Sequence, residues 1–189
     1  MLGALDLNAI RDQVYEHLNN APTTLALGKD GKTYETVEVG TIDERVSLIK
    51  DIIAESVADP EIKKRAKALS RGTDLQQVQN VFRFVKQNVR FESEEPFEIY
   101  KDASTSLSHG YGDCDDQVIL GASLLINMNF KVVLTVTGEE QDFSHIYLKV
   151  GLPKRGAKKW VSFDASVDRP LGWDISQEKT VTMIKEYKI

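Results

Sequence analysis

The sequence predicts an α+β protein in which several helices precede an antiparallel sheet. In the first half of the chain, apolar residues recur at the three- and four-residue spacing of amphipathic helices. In the last third they alternate with polar residues, as in half-buried strands. The change of pattern falls near Gly110, and one apolar helix lies between the two regions. We expect that helix to pack against the sheet.

The first forty residues form a unit that we expect to stand apart from the main domain. An apolar stripe predicts a short amphipathic helix over residues 8–19. Two β-prone runs follow, at 24–27 and 33–39, and the Gly-Lys-Asp-Gly segment between them predicts a β-hairpin, because Gly and Asp tolerate left-handed turn conformations. We therefore divide the chain into an N-terminal helix and hairpin extension, residues 1–40, and a main domain, residues 41–189.

Three amphipathic helices are predicted at the start of the main domain. The apolar stripe of the first is Val46, Ile49, Ile53 and Val57. The second begins at Asp59, an N-cap residue followed by a proline suited to the first helical position, and we expect it to end at Gly72. The third begins after Thr73 with the capping-box pattern Thr-Asp-Leu-Gln and runs to about Asn88.

The region from 89 to 110 shows no periodicity and contains a cluster of glutamates, so we expect a long loop there. A loop of this length inside a compact domain usually has a function. Forming one wall of a cleft is such a function.

A buried helix and three strands are predicted after this loop. The helix is apolar nearly all round over residues 118–126, which indicates that it is covered on every side. Alternating residues predict strands over 130–136, 146–150 and 161–163. The connections between them are short enough for an antiparallel meander packed against the helix.

Composition excludes several classes of function. The chain has 189 residues, with 24 Lys and Arg against 29 Asp and Glu and a formal net charge of −5. Because phosphate binding requires a basic surface, we expect no nucleic-acid partner. The longest uncharged stretch, residues 117–130, is too short to span a bilayer, and Asp6 precedes any apolar run of a secretion signal. We therefore expect no membrane partner and no secretion signal.

Cys114, the single cysteine, lies at the predicted start of the buried helix. One cysteine excludes an intramolecular disulfide and zinc sites built from cysteine pairs. With Asp113 as the N-cap, Cys114 takes the first helical position, where backbone amides and the helix dipole stabilise a thiolate. Asp116 can reach back to complete a capping box. The flanking carboxylates oppose thiolate formation, so an activated thiol needs a cationic partner, for which imidazolium is the candidate.

Three histidines could supply that partner. His17 lies in the extension, and His109 lies on the loop that enters the cysteine helix. His145 begins a strand, and it meets Cys114 if that strand lies beside the start of the helix. Asp164, at the end of the next strand, is placed to hold the imidazole, since adjacent strands present neighbouring positions.

Simpler interpretations of the same residues remain open. A lone cysteine beside apolar helix residues is more often a small buried hydrophobe than a nucleophile. Asp115 and Asp116 are most simply explained as helix-start residues, and Tyr147 as a core or cleft-wall aromatic.

Three motifs surround the candidate residues: Gly-Tyr-Gly-Asp-Cys-Asp-Asp around Cys114, Phe-Ser-His-Ile-Tyr around His145, and Trp-Val-Ser-Phe-Asp-Ala around Asp164. Together they resemble the motifs of the transglutaminase-like superfamily, whose fold is related to papain-type cysteine peptidases. The resemblance extends over about residues 74–174. It implies that Cys114 is a nucleophile, His145 its base and acid, and Asp164 the orienting carboxylate. It also implies a protein or peptide substrate. This chemistry requires no cofactor and no metal, and the aspartates around Cys114 match no EF-hand pattern.

Weaker motifs resemble transglutaminase-like proteins encoded by tailed bacteriophages and prophages. These motifs are Asp-Pro-Glu-Ile at 59–62, Phe91, and Arg-Pro-Leu-Gly-Trp at 169–173. They imply a phage-associated protein located in the cytoplasm of a bacterial host or on the virion.

Two functions from different classes follow. The first is cysteine-dependent acyl transfer, in which the Cys114 thiolate attacks an amide and His145 assists departure of the amine and then activates water or a second amine. Hydrolysis and transamidation both fit, and the Cys114 amide would supply one oxyanion donor. The second is a phage virion or assembly protein that retains the fold as a binding scaffold, with residues 1–40 contacting phage structural proteins or a second copy of the chain.

Overall fold

The computed structural model describes residues 23–27, 33–37, 41–92, 99–138 and 144–189. The described helices are α1 (Ile42–Ala58), α2 (Pro60–Leu69), α3 (Asp74–Asn88), α4 (Ala103–His109) and α5 (Cys114–Asn127). The described strands are β1 (Thr23–Leu27), β2 (Thr33–Val37), β3 (Arg90–Phe91), β4 (Tyr111–Gly112), β5 (Val132–Gly138), β6 (His145–Leu152), β7 (Lys159–Phe163) and β8 (Met183–Lys188). The predicted α+β class is confirmed.

The helices begin where the capping residues predict. Asp59 accepts hydrogen bonds from the first amides of α2, and Thr73 forms a capping box with Gln76 at the start of α3. Helix α2 ends at Leu69, not at the predicted Gly72. Gly72 instead lies in the connection to α3 with φ +89°, and a Cβ there would collide with the Gln76 side chain.

The region 89–110 is not the continuous loop that its lack of periodicity predicts. It contains helix α4, which is capped by Asp102 and ends at Gly110 in the left-handed conformation. Strands β3 and β4 pair in parallel, with Arg90 opposite Tyr111. A seven-residue helix and a two-residue strand are too short to produce a recognisable period. The glutamates at 94, 95 and 98 lie outside the described residues.

The main sheet has the order β7-β6-β5-β8, and all its neighbouring strands are antiparallel. The predicted meander β5-β6-β7 is therefore confirmed, with β5 beginning at Val132 rather than at Phe130. Strand β8 adds to the free edge of β5, and the sequence analysis missed it. Its residues are largely exposed and it includes Lys185, Glu186 and Lys188, so it lacks the clear apolar alternation of a core strand.

Helix α5 lies between the other helices and the sheet. It contacts α1, α2, α3 and α4 on one side and β5 and β6 on the other. Ile119, Leu120 and Leu124 are completely buried, which explains why the helix is apolar nearly all round. At Gly121 the helix approaches the sheet so closely that a Cβ would lie 2.9 Å from Cε1 of Phe163.

The predicted hairpin is confirmed in its two strands, which pair antiparallel with Leu27 opposite Thr33. The predicted helix over residues 8–19 lies outside the described residues, so the division of the chain at residue 40 stays a prediction. None of the described helices combines the length and the apolar character needed to cross a membrane.

Candidate active site

Cys114 is the first residue of α5 and is half-buried. The Asp113 side chain accepts hydrogen bonds from the amides of Asp115 at 3.1 Å and Asp116 at 3.4 Å, and Asp116 accepts one from the Asp113 amide at 3.3 Å. The predicted capping box is therefore present. The Cys114 thiol also lies 3.9 Å from Oδ1 of Asp115, an acceptor that competes with any base for its proton.

His145 and Asp164 come together across two neighbouring strands. His145 begins β6, and Asp164 directly follows β7. Nε2 of His145 lies 2.7 Å from Oδ2 of Asp164, and the two side chains are 15% and 4% exposed. The other carboxylate oxygen, Oδ1, accepts hydrogen bonds from the amide and hydroxyl of Ser166. Both oxygens are bonded, so the orientation of the carboxylate is fixed.

A narrow crevice is lined by both Cys114 and Asp164, whereas His145 is not among its lining residues. Its walls come from the first turn of α5, from β6 and from the end of β7 with the residues after it. The lining residues are Cys114, Gln117, Val118, Ile146, Phe163, Asp164, Ala165 and Ser166. The cysteine and the aspartate thus share one crevice, and His145 is bonded to that aspartate.

His109, like His145, is not among the residues that line this crevice. His109 ends α4, and its ring stacks on Tyr111 at a centroid distance of 5.6 Å. His17 lies outside the described residues.

A model of the transglutaminase-like superfamily matches residues 63–165. That match covers more than half of the chain and includes Cys114, His145 and Asp164. The chain belongs to the transglutaminase-like superfamily. A comparison with curated protein sequences gives no match.

Several solved structures are similar to this chain, and the first of them agrees with this assignment at the level of the fold. A candidate protease from Parabacteroides distasonis has a TM-score of 0.53 and 13% identity, covering 79% of this chain and 37% of that one. The present chain therefore spans little more than a third of that protein. A candidate cysteine protease from Cytophaga hutchinsonii has a TM-score of 0.48 and 15% identity, covering 90% and 76% of the two chains. Calcium-bound LapG of Legionella pneumophila has a TM-score of 0.48 and 13% identity, covering 94% and 81%.

The transglutaminase-like domain has a buried ion pair beneath the cysteine turn that sequence analysis missed. Nζ of Lys101 lies 2.7 Å from Oδ2 of Asp116, and the Lys101 amide donates to Oδ1 at 2.9 Å. The two side chains are 3% and 0% exposed. Burial raises the pKa of Asp116 to about 7, Asp113 adds to the rise, and Lys101 opposes it. Asp116 is thus more than a helix-start residue.

A second supporting group lies behind the histidine. The His145 ring stacks on Tyr147, with centroids 6.1 Å apart and planes within 15°. Tyr147 is completely buried and donates its hydroxyl to Asp174 at 2.6 Å. Burial alone would raise the pKa of Asp174, but hydrogen bonds from Ser176, Tyr147 and Ser162 hold it at about 2. Tyr147 is therefore a core aromatic, one of the two alternatives, and it supports the imidazole.

The segment after Asp164 is attached to helix α3. Nζ of Lys86 donates to the Val167 carbonyl at 2.7 Å and lies 3.8 Å from Oδ1 of Asp168. This attachment connects residues 81 positions apart and holds the turn that carries Ser166. No local sequence pattern indicates it.

Proposed function

We propose that this transglutaminase-like chain is a cysteine-dependent acyl-transfer enzyme that acts on amides. Cys114 is the nucleophile, His145 the base and acid, and Asp164 the residue that orients the imidazole. The single observation that supports this most strongly is the 2.7 Å contact between Nε2 of His145 and Oδ2 of Asp164, at the wall of the crevice that Cys114 lines.

The contact with Asp164 assigns a task to each nitrogen of the imidazole. Nε2–H donates to the carboxylate, which leaves Nδ1 to accept the proton of the Cys114 thiol. The carboxylate stabilises the imidazolium that forms. The thiolate then attacks the carbonyl carbon of an amide, and the backbone amide of Cys114 donates to the developing oxyanion.

The tetrahedral intermediate collapses when the imidazolium returns its proton to the leaving amine, and the acyl group remains on sulfur as a thioester. His145 next removes a proton from water or from a second amine, which attacks the thioester and releases the Cys114 thiolate. Water gives hydrolysis and an amine gives transamidation. Each step balances with these residues alone and requires neither metal nor cofactor.

A protein or peptide amide is the proposed substrate. The candidate protease from Parabacteroides distasonis shares this fold, and the carbonyl of a peptide or carboxamide is the electrophile that a thiolate beside imidazolium attacks. The negative charge of the chain gives no reason to expect a polyanionic substrate.

Alkylation of Cys114 by iodoacetamide across pH tests the proposal, because Cys114 is the single cysteine and total labelling reports it alone. We expect reaction well below pH 8, and a rate at least about tenfold lower in His145→Ala. His109→Ala is the matched control, because His109 ends α4 and its ring stacks on Tyr111. Equal rates in the wild type and His145→Ala would remove His145 from the mechanism.

The second candidate is a role in phage assembly, alone or beside the enzymatic one. It is favoured by the phage-like motifs and by the hairpin, whose strands pair only with each other among the described strands. The hairpin edges are open to strand addition by a phage structural protein or by a second copy. Deleting residues 1–40 should change the oligomeric state or abolish recruitment while Cys114 stays reactive. A truncated chain that no longer unfolds cooperatively would show instead that these residues belong to the core.

A further inference from the structure

Gln117 lies one helical turn after Cys114 and lines the same crevice. Residues three apart on a helix lie on the same side, so the two side chains are neighbours at the crevice wall. Gln117 is only 3% exposed. A glutamine is rarely buried this deeply unless its amide group is hydrogen-bonded.

Within the described part of the chain, only one end of that amide has a hydrogen-bond partner. Nε2 donates to the backbone carbonyl of Val89 at 2.8 Å. A carbonyl can only accept, so this contact determines which end of the amide faces Val89. Oε1 is buried and has no hydrogen-bond partner among the described residues. The oxygen is therefore the polar atom that Gln117 can offer to an occupant of the crevice.

We propose that Oε1 of Gln117 is a specificity-determining acceptor for an N–H group that the substrate carries within a few bonds of the atom attacked by Cys114. This inference rests on the proposed function, because it assumes that the substrate reaches the Cys114 thiol. A buried acceptor without a partner is costly, and a donor that enters with the substrate removes that cost. A substrate without such a donor leaves the oxygen unsatisfied.

Two small electrophiles test the proposal, one with N–H groups and one in which methyl groups replace those hydrogens. 2-Chloroacetamide places an N–H beside the carbon that sulfur attacks, whereas N,N-dimethyl-2-chloroacetamide has none. Each rate is divided by the rate of the same reagent with free cysteine, which removes its intrinsic reactivity. In the wild type we expect a corrected preference for chloroacetamide of about fivefold or more, the effect of one hydrogen bond of ordinary net strength.

Gln117→Met should reduce this preference to what the bulk of the dimethyl reagent alone produces, because the side chain keeps its length but loses the acceptor. Gln117→Glu, which keeps an acceptor oxygen, should retain it. Gln77→Met is the matched control: Gln77 also donates to a backbone carbonyl, that of Gly72, but it does not line the crevice. Dividing the preference of each variant by that of the wild type cancels the steric effect that the methyl groups of the dimethyl reagent have on the rate.

The wild-type measurement keeps the proposal falsifiable even if a variant fails to fold. A corrected preference near one would overturn the role of Gln117, and so would an unchanged preference in a folded Gln117→Met variant. The proposed function itself would be contradicted by a different result, in which Cys114 is alkylated no faster than free cysteine and its rate is unchanged in His145→Ala. The two failures are therefore distinguishable.

Discussion

The imidazole of His145 is held from two directions, by Asp164 at its Nε2 and by the ring of Tyr147 against its face. Nε2 lies 2.7 Å from Oδ2 of Asp164, and the Tyr147 ring lies within 15° of parallel. Together these contacts restrict the tilt and the rotation of the ring. The consequence is a histidine whose tautomer and direction are set before any substrate binds.

Asp164→Asn should lower the alkylation rate of Cys114 by about tenfold or more while the fold stays intact. The amide can occupy the same position, but it favours the wrong imidazole tautomer and does not stabilise imidazolium. The rate at pH 6 to 7 and the far-ultraviolet circular dichroism spectrum check both parts. Asp168 is a nearby residue whose side chain is fully exposed, and Asp168→Asn should leave the alkylation rate unchanged. A wild-type rate in a folded Asp164→Asn variant would reduce Asp164 to a structural residue.

Lys101→Met should lower the free energy of unfolding by about 3 kcal/mol or more, because it leaves the buried Asp116 carboxylate without its cation. Urea unfolding measures the loss. Adding Asp116→Asn should recover part of it, since no uncompensated charge then stays buried. Lys64→Met, at an exposed lysine, should change stability by less than about 0.5 kcal/mol. If Lys101→Met lowers the free energy of unfolding no more than Lys64→Met does, the ion pair contributes nothing to stability.

The lowered pKa of Asp174 predicts that the protein loses stability in acid. This pKa is about 2 in the folded chain, below the ordinary value of 3.8, so the ionised carboxylate stabilises the fold above pH 4. That contribution, about 2 kcal/mol, disappears as the pH falls from about 4 to 2. Asp174→Asn should therefore be less stable than the wild type at pH 6, and the gap should close towards pH 2. Urea unfolding at several pH values measures this gap, and a gap independent of pH would contradict the assignment.

Gly121→Ala should destabilise the protein by about 1 to 3 kcal/mol, although alanine is the better helix former. The added methyl would lie 2.9 Å from Cε1 of Phe163, in a core where the side chains have little room to move. Thermal unfolding measures the change. Combining the substitution with Phe163→Leu should cost less than the sum of the two single changes, because the smaller side chain relieves the contact. A stabilised Gly121→Ala variant would show that helix propensity outweighs packing here.

The elements predicted correctly are those whose signals are local. The capping side chains of Asp59, Thr73 and Asp113 accept hydrogen bonds from backbone amides two or three residues away. A few neighbouring residues are therefore enough to predict where each helix begins. The position of Cys114 at the start of α5 follows from the same logic, and the alternation after His145 predicts β6. Local patterns of this kind are sufficient to make Cys114, His145 and Asp164 candidate site residues.

Tertiary structure alone decided the features that join distant parts of the chain. Lys101 pairs with Asp116 15 positions away, Tyr147 reaches Asp174 27 positions away, and Lys86 meets Val167 81 positions away. Helix α4 and strand β8 are likewise stabilised by what they pack or pair against. Sequence periodicity reports which face of an element is buried, but not which side chain lies opposite it. Oε1 of Gln117 illustrates the difference, because its lack of a hydrogen-bond partner among the described residues depends on how those residues fold around it.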